Sequence, residues 1–234
     1  MSLSEKPTEL LDRPVYGLTQ VDELLGLRTG TARRWIDGYV RRDRVYPPVV
    51  RVTSTGEDLV TWGEFTETRL LAEFRDAGVP MVHLRPAVER LRQIFETVYP
   101  LALARPYLDA RGRELVMEVQ RETELAEPLQ LVVVRNDQLL LSEAANKFVQ
   151  SADFGTAGIV QRIRPWSQLD RVWLDPLRQF GVPTVRSVPT AVIAEQFRAG
   201  DPLDFIAHAY DLSDEDISQA LRYELYKINA PQAA

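Results

Sequence analysis

The stretch from Val172 to Tyr226 constrains the chain most, because almost every turn in it carries its own start or stop signal. Leu174-Asp175-Pro176 and Phe180-Gly181-Val182-Pro183 begin it in extended conformation, since each proline fixes φ and removes a backbone donor. Thr190 can cap a helix through Val192, Ile193, Glu195 and Phe197, and Gly200 can end it in a left-handed turn. Asp201 followed by Pro202 starts a second helix. Ser213 starts a third, on which Ile217, Ala220, Leu221, Leu225 and Ile228 recur at three- and four-residue steps and so share one buried stripe. Two of these helices, joined through Tyr210-Asp211-Leu212, have a helix-turn-helix outline.

The front of the chain repeats that outline with the opposite charge. Thr19 can cap a short helix carrying Val21, Leu24 and Leu25, and Gly26 supplies the freedom for a sharp turn. A second helix from about Thr29 places Ala32, Trp35 and Ile36 inward and Arg33 and Arg34 outward. The alternation Val50, Val52, then Leu59, Val60, Trp62 around Ser54-Thr55-Gly56 predicts a β-hairpin wing. From Arg13 to Arg51 the bases Arg13, Arg28, Arg33, Arg34, Arg41, Arg42, Arg44 and Arg51 face Asp22, Glu23, Asp37 and Asp43. From Asp201 onward the acids Asp201, Asp204, Asp211, Asp214, Glu215, Asp216 and Glu224 outnumber Arg222 and Lys227. A DNA reader needs cations for phosphates and forked donors for guanine edges, so the front is expected to hold DNA through Arg28, Thr29, Thr31, Arg33, Arg34, Arg51 and Thr53. The acidic start of the last helix excludes the same role there.

Between these ends the pattern changes. After the wing, Thr61-x-x-Glu64 is a capping box ahead of Phe65, Leu70, Leu71 and Phe74, closed by Gly78-Val79-Pro80, and a further helix carries Leu84, Val88, Leu91 and Phe95. Leu115, Met117 and Val119 alternate with Glu114, Glu118 and Gln120, which predicts a half-buried strand, and Leu129–Val134 and Leu139–Leu141 flank Asn136-Asp137 as a hairpin. Gly158–Ile163 is a candidate for one more strand. The expected fold is α+β and mainly helical: a winged helix-turn-helix with its following helices over 14–99, a small antiparallel β region over 100–171, a three-helix module over 172–228 and a tail over 229–234. Because Leu131–Val134 is apolar on both faces, an uncovered edge would aggregate, and a homodimer is expected.

No reaction chemistry is legible. His83 and His208 lie on separate elements, Asp211, Ser213, Glu215 and Asp216 lack the glycine of a calcium loop, and no nucleophile elbow or phosphate-binding glycine loop occurs. The expectation is a non-enzyme without metal or cofactor. The absence of cysteine fits a reducing compartment, no apolar run is long enough to span a bilayer, and Met1 to Arg13 has no signal-peptide pattern, so a cytoplasmic protein is expected.

Three resemblances extend this reading. The run Asp175-Pro176, Phe180-Gly181-x-Pro183, Arg186, Thr190, Phe197-x-x-Gly200-Asp201, Ile206-x-x-x-Tyr210-x-Leu212-Ser213-x-x-x-Ile217-x-x-Ala220-Leu221-x-Tyr223 resembles the DUF433 family of small antitoxin-like domains. Tyr16-Gly17-Leu18-Thr19 to Arg33-Arg34-Trp35 is similar to the MerR-type winged helix-turn-helix, whose members pair through a helix near Leu91 and Phe95. The whole arrangement resembles the VapB-type antitoxins of type II toxin–antitoxin pairs. That resemblance implies an antitoxin that neutralises a PIN-type ribonuclease toxin and represses its own operon, with toxin contacts in Arg222–Ala234 through Arg222, Tyr223, Tyr226 and Lys227. The alternative is a stand-alone regulator that senses a ligand in a pocket lined by Leu115, Val119 and Leu139.

Overall fold

The computed structural model describes residues 7–166 and 168–229. A short helix α1 (Pro7–Leu11) and strand β1 (Pro14–Gly17) lead into α2 (Leu18–Leu24) and α3 (Thr31–Ile36). A two-stranded ribbon, β2 (Tyr39–Arg41) and β3 (Arg44–Tyr46), follows α3 directly. Strand β4 (Leu59–Thr61) then returns to pair antiparallel with β1 ahead of α4 (Trp62–Glu73) and α5 (Arg85–Phe95). Helices α6 (Arg105–Leu108) and α7 (Ala110–Glu122) precede the ribbon β5 (Val132–Arg135) and β6 (Gln138–Leu141), then α8 (Glu143–Ser151) and the ribbon β7 (Ala152–Phe154) and β8 (Val160–Ile163). The chain closes with β9 (Val172–Trp173), β10 (Thr184–Val185) and β11 (Val188–Pro189) in one antiparallel sheet, and with α9 (Thr190–Ala199), α10 (Leu203–Tyr210) and α11 (Asp214–Asn229). The fold is α+β.

Helix α4 is the pillar. The expected capping box forms in full: the Thr61 hydroxyl accepts from the Glu64 amide at 3.2 Å and the Glu64 carboxylate accepts from the Thr61 amide at 2.9 Å. Every residue from Trp62 to Ala72 is buried, and the Trp62 indole donates to the Val160 carbonyl at 2.7 Å, tying the pillar to β8. A single hydrophobic core runs from Leu10 to Leu174, so the front and the middle of the chain share one interior. A second core gathers Leu169 to Tyr223 around α9, α10 and α11. The two lobes meet where Trp166 packs on Tyr223 at 4.9 Å and where the Tyr16 hydroxyl donates to the Gly181 carbonyl at 2.6 Å. Gly181 has φ +77°, and a Cβ there would stand 2.6 Å from Val15 Cγ1, so only glycine permits this approach.

Several expectations are corrected. Residues 115–119 form no strand but the middle of α7, capped by Asp109, whose carboxylate accepts from the Gly112 amide at 2.8 Å. Val116, Met117, Val119 and Gln120 are buried, a spacing of three and four that outweighs the apparent period of two. Gln120, expected on the solvent face, is only 3 % exposed and satisfies the backbone of Leu131 and Val132. Val119 lies in the main core with Leu115 and Leu139 packed against that core, where the alternative reading of a stand-alone regulator would need a ligand pocket. Leu91 and Phe95 also lie inside that core, and Arg105 covers the Phe95 ring at 5.3 Å, so neither is available as a dimer contact. The β5–β6 hairpin forms as expected, with Asn136 and Asp137 both at positive φ. In the C-terminal lobe Gly200 takes the left-handed conformation that ends α9, and Ser213 caps α11. Thr190 is the first residue of α9 rather than its cap, and its hydroxyl donates to the Glu224 carboxylate at 2.5 Å.

Candidate nucleic-acid interface

The turn between α2 and α3 is built on one carboxylate. Asp22 is 5 % exposed, and its two oxygens accept from the Gly30 amide at 2.6 Å and the Ala32 amide at 2.7 Å. It therefore satisfies the first amides of α3 from a neighbouring helix, while Gly30 at φ +78° turns the chain. Burial pushes the Asp22 carboxyl above its usual range against the pull of these amides. Thus fixed, α3 buries Thr31, Ala32 and Ile36 and leaves Arg33 and Arg34 exposed. Trp35 packs against the core.

The structure places the expected DNA-contact residues unequally. Arg28, Thr29 and Thr53 are exposed. Arg33 is half-exposed and pairs with Asp58 at 3.0 Å, and Arg34 donates to the Thr31 hydroxyl at 2.9 Å. Thr31 itself is buried. Arg51 is a correction. It is 7 % exposed, and its guanidinium donates to Asp37 at 2.9 Å, Glu64 at 2.8 Å, Thr55 Oγ1 at 2.7 Å, and the carbonyls of Glu57 and Leu59. A fork saturated in this way has no donor left for phosphate. Its partners explain the fold here: Asp37 ends α3, Glu64 begins α4, and the arginine joins them. Burial alone would raise the Asp37 carboxyl, but the Thr55 and Gly56 amides and Arg51 outweigh it and hold it below the usual carboxylate range.

The wing is also corrected in position. Ser54-Thr55-Gly56 is no hairpin tip but a loop wrapped on the Asp37 carboxylate, which accepts from the Thr55 amide at 2.7 Å and the Gly56 amide at 3.0 Å. The ribbon beside α3 is β2–β3. Its sequence, Tyr39-Val40-Arg41-Arg42-Asp43-Arg44-Val45-Tyr46, reads the same from both ends about the Arg42-Asp43 turn. Like therefore pairs with like: Tyr39 with Tyr46, Val40 with Val45, Arg41 with Arg44. Arg42 and Asp43 both have positive φ, the two-residue turn that suits a twisted ribbon. The tyrosine rings stack at 4.5 Å, and Arg44 lies over Tyr46 at 5.3 Å. Val40 and Val45 are 67 % and 70 % exposed. The mirror order was the available signal, masked by a turn with neither asparagine nor glycine.

A cleft of about 180 Å³ between the ribbon and α3 is lined by Arg34, Trp35, Tyr39 and Tyr46. The two basic elements therefore share one side of the molecule. Opposed Arg41 and Arg44 repel each other across the ribbon, an arrangement that an anion relieves. The described residues contain no grouping of three histidine, cysteine or acidic side chains able to hold a metal ion.

Comparison with known proteins places this geometry. Residues 14–88 match a family described as "Putative DNA-binding HTH domain", and residues 172–223 match the family "Protein of unknown function (DUF433)". A Mycobacterium tuberculosis protein, "Uncharacterized protein Rv2308", is 38 % identical over 222 residues, covering 92 % of each chain. The chain belongs to the Rv2308 family. A second M. tuberculosis protein similar to this Rv2308-family chain is named "Putative antitoxin VapB45"; it is 28 % identical over 231 residues, covering 90 % of this chain and 93 % of its own. The crystal structure of Rv2018 from the same organism is 25 % identical and superposes with a TM-score of 0.73, over 90 % of this chain and 99 % of that one. The fold is thus shared with Rv2018 along nearly the whole of both chains. No described helix is long and apolar enough to cross a membrane.

On the C-terminal lobe, Arg222 and Lys227 are exposed on α11. Tyr223 is 1 % exposed and packs on Trp166, so it closes the second core and cannot meet a partner. The Tyr226 side chain and residues 230–234 lie outside the described residues.

Proposed function

We propose that this protein is a DNA-binding antitoxin without catalytic activity that represses its own operon and neutralises a PIN-type ribonuclease toxin. The observation that carries the DNA half is the exposed ribbon β2–β3, which presents Arg41, Arg42 and Arg44 beside Arg33 and Arg34 of α3. Helix α3 enters the major groove and the ribbon lies along the flanking backbone. Similarity to the protein named as an antitoxin supports the second half. So does α10, which buries only Ile206 and leaves Leu203 46 % and Phe205 57 % exposed, with Phe197 47 % exposed before it. Between Glu195 and Asp211 the acids Glu195, Asp201, Asp204 and Asp211 face one arginine, Arg198. An apolar ridge with an acidic rim fits a basic protein. The proposed assembly is a cytoplasmic homodimer whose contacts lie away from Leu91 and Phe95.

The DNA reading is tested by fluorescence anisotropy with DNA from upstream of the protein's own coding sequence, across a salt series. Arg33→Ala with Arg34→Ala should weaken binding and lower the slope of log K against log salt, by roughly 0.9 for every phosphate that is no longer neutralised. Unchanged affinity and slope would remove the interface from α3. For the toxin, co-expression with an adjacent PIN-type reading frame should restore growth, and Phe205→Asp should abolish rescue if α10 is the docking face. Loss with Arg222→Glu plus Lys227→Glu instead would assign it to α11. A stand-alone regulator is the second reading, and one observation favours it, an arginine-lined cavity to which α3 contributes no residue.

A further inference from the structure

Where β8 meets the C-terminal lobe, a cavity of about 230 Å³ is walled by Arg162, Arg171, Arg178 and Arg186, with Trp173 among its lining residues. Their side chains are 45 %, 44 %, 61 % and 58 % exposed. Two of the carboxylates that steady them lie beneath, Asp216 at 2 % and Asp175 at 17 %, while Asp153 and Asp211 pair from the exposed side. The acids serve as struts while the guanidiniums form the mouth.

Asp216 is fully engaged. It accepts from the Ser213 amide at 3.0 Å and the Ser213 hydroxyl at 2.8 Å, and pairs with Arg171 at 3.1 Å and Arg186 at 3.2 Å. Two cations thus share Asp216, Arg186 also reaches Asp211 at 3.9 Å, and Asp170 lines the same cavity, so four arginines face three lining carboxylates. Arg178 pairs with Asp175 at 3.4 Å, and Arg162 pairs with Asp153, which lies outside the cavity. These contacts use Nε or Nη1 of each arginine, and among the described residues no Nη2 of the four has a hydrogen-bond partner. Arg162 and Arg164 lie over the Trp173 ring at 4.3 and 4.6 Å, which holds Arg162 in the wall and makes Trp173 a reporter of whatever binds there.

We propose that this cavity is a binding site for a small organic or inorganic oxyanion, a di- or tricarboxylate or a phosphate group, held by the open donors of the four arginines. Paired oxygens of a carboxylate or a phosphate match guanidinium donors, and the pre-set struts remove much of the ordering cost of gathering them. Arg162 belongs to the large lobe and the other three to the small one, so an occupant bridges both. The site shares no lining residue with the DNA surface, and through the Arg186–Asp211 pair it abuts the acidic rim of the toxin surface.

The test is titration of the full chain with inorganic phosphate, citrate and succinate separately, by calorimetry and by tryptophan fluorescence. At least one is expected to saturate at a one-to-one ratio and change the Trp173 signal, with the same heat but no such change in Trp173→Phe. Arg178→Gln should weaken binding by roughly tenfold or more, the factor for losing a charge-assisted hydrogen bond, whereas Arg135→Gln on the distant β5 should leave it unchanged. Response to phosphate alone assigns the phosphate class, and response to citrate or succinate the carboxylate class. The proposal is overturned if none of the three saturates, or if Arg178→Gln, folded by circular dichroism, binds as tightly as the natural chain.

Discussion

Replacing Glu67 by glutamine should make the protein more stable in neutral and mildly alkaline solution. Glu67 sits on α4 at 0 % exposure; one oxygen accepts from the Leu101 amide at 3.0 Å, and the other lies 3.9 Å from Arg92 with no hydrogen-bond partner. Burial, resisted by Arg92, pushes the carboxyl from its ordinary 4.5 up to about 8. The folded protein therefore keeps a proton that the unfolded chain has lost between these values. The stability that goes with the neutral acid is present in full below about 4.5 and drains away as pH rises to about 8. Each pH unit is worth about 1.4 kcal/mol, so the window spans on the order of 3–5 kcal/mol. Glutamine keeps the acceptor for Leu101 and removes the titration, though its amide would face Arg92 and give back part of the gain. Urea unfolding at successive pH values should show Glu67→Gln gaining on the natural chain by about 2–4 kcal/mol between pH 5 and pH 8. If the variant is less stable by a constant amount throughout, Glu67 is ionised in the folded state and paired with Arg92, and the reasoning fails.

Other perturbations follow from the same structure. Arg51→Met should cost about 3–5 kcal/mol in chemical denaturation, because it strands the buried Asp37 and Glu64 carboxylates. Asp22→Ala should cost about 1–3 kcal/mol and loosen α3, seen as faster amide exchange at Gly30 and Ala32. Arg42→Ala with Arg44→Ala should weaken DNA binding with no loss of melting temperature, since both are exposed; an unchanged affinity would remove the ribbon from the interface. Gly112→Ala should fail to fold stably, as its Cβ would lie 1.9 Å from the Arg105 carbonyl oxygen, and a soluble variant with an unshifted melting curve would contradict that packing.

What could be read from the order of residues follows the range of the forces involved. Thr61 with Glu64 and Ser213 with Asp216 are contacts three residues apart, and both caps form as their spacing predicts. Gly200 and Asn136-Asp137 act through their own backbone angles, so their turns were legible too. Arg51 was not: alone it is a cation beside a basic helix, and only the approach of Asp37 and Glu64 from two other elements turns it inward. Gln120 misled for the same reason, since the backbone it satisfies arrives from β5. The four-arginine cavity collects residues from Arg162 to Asp216, and no local pattern announces it.

The hydroxyl bond from Tyr16 to Gly181 closes a loop of 165 residues. Treated as a free polymer, a loop of that length costs on the order of 4–5 kcal/mol to close, whereas one such bond returns about 1 kcal/mol. The bond cannot recruit its own ends; it forms because both are already held in place. Tyr16→Phe should therefore barely move the melting temperature, because the bond reads out the placement of the two lobes and does not create it.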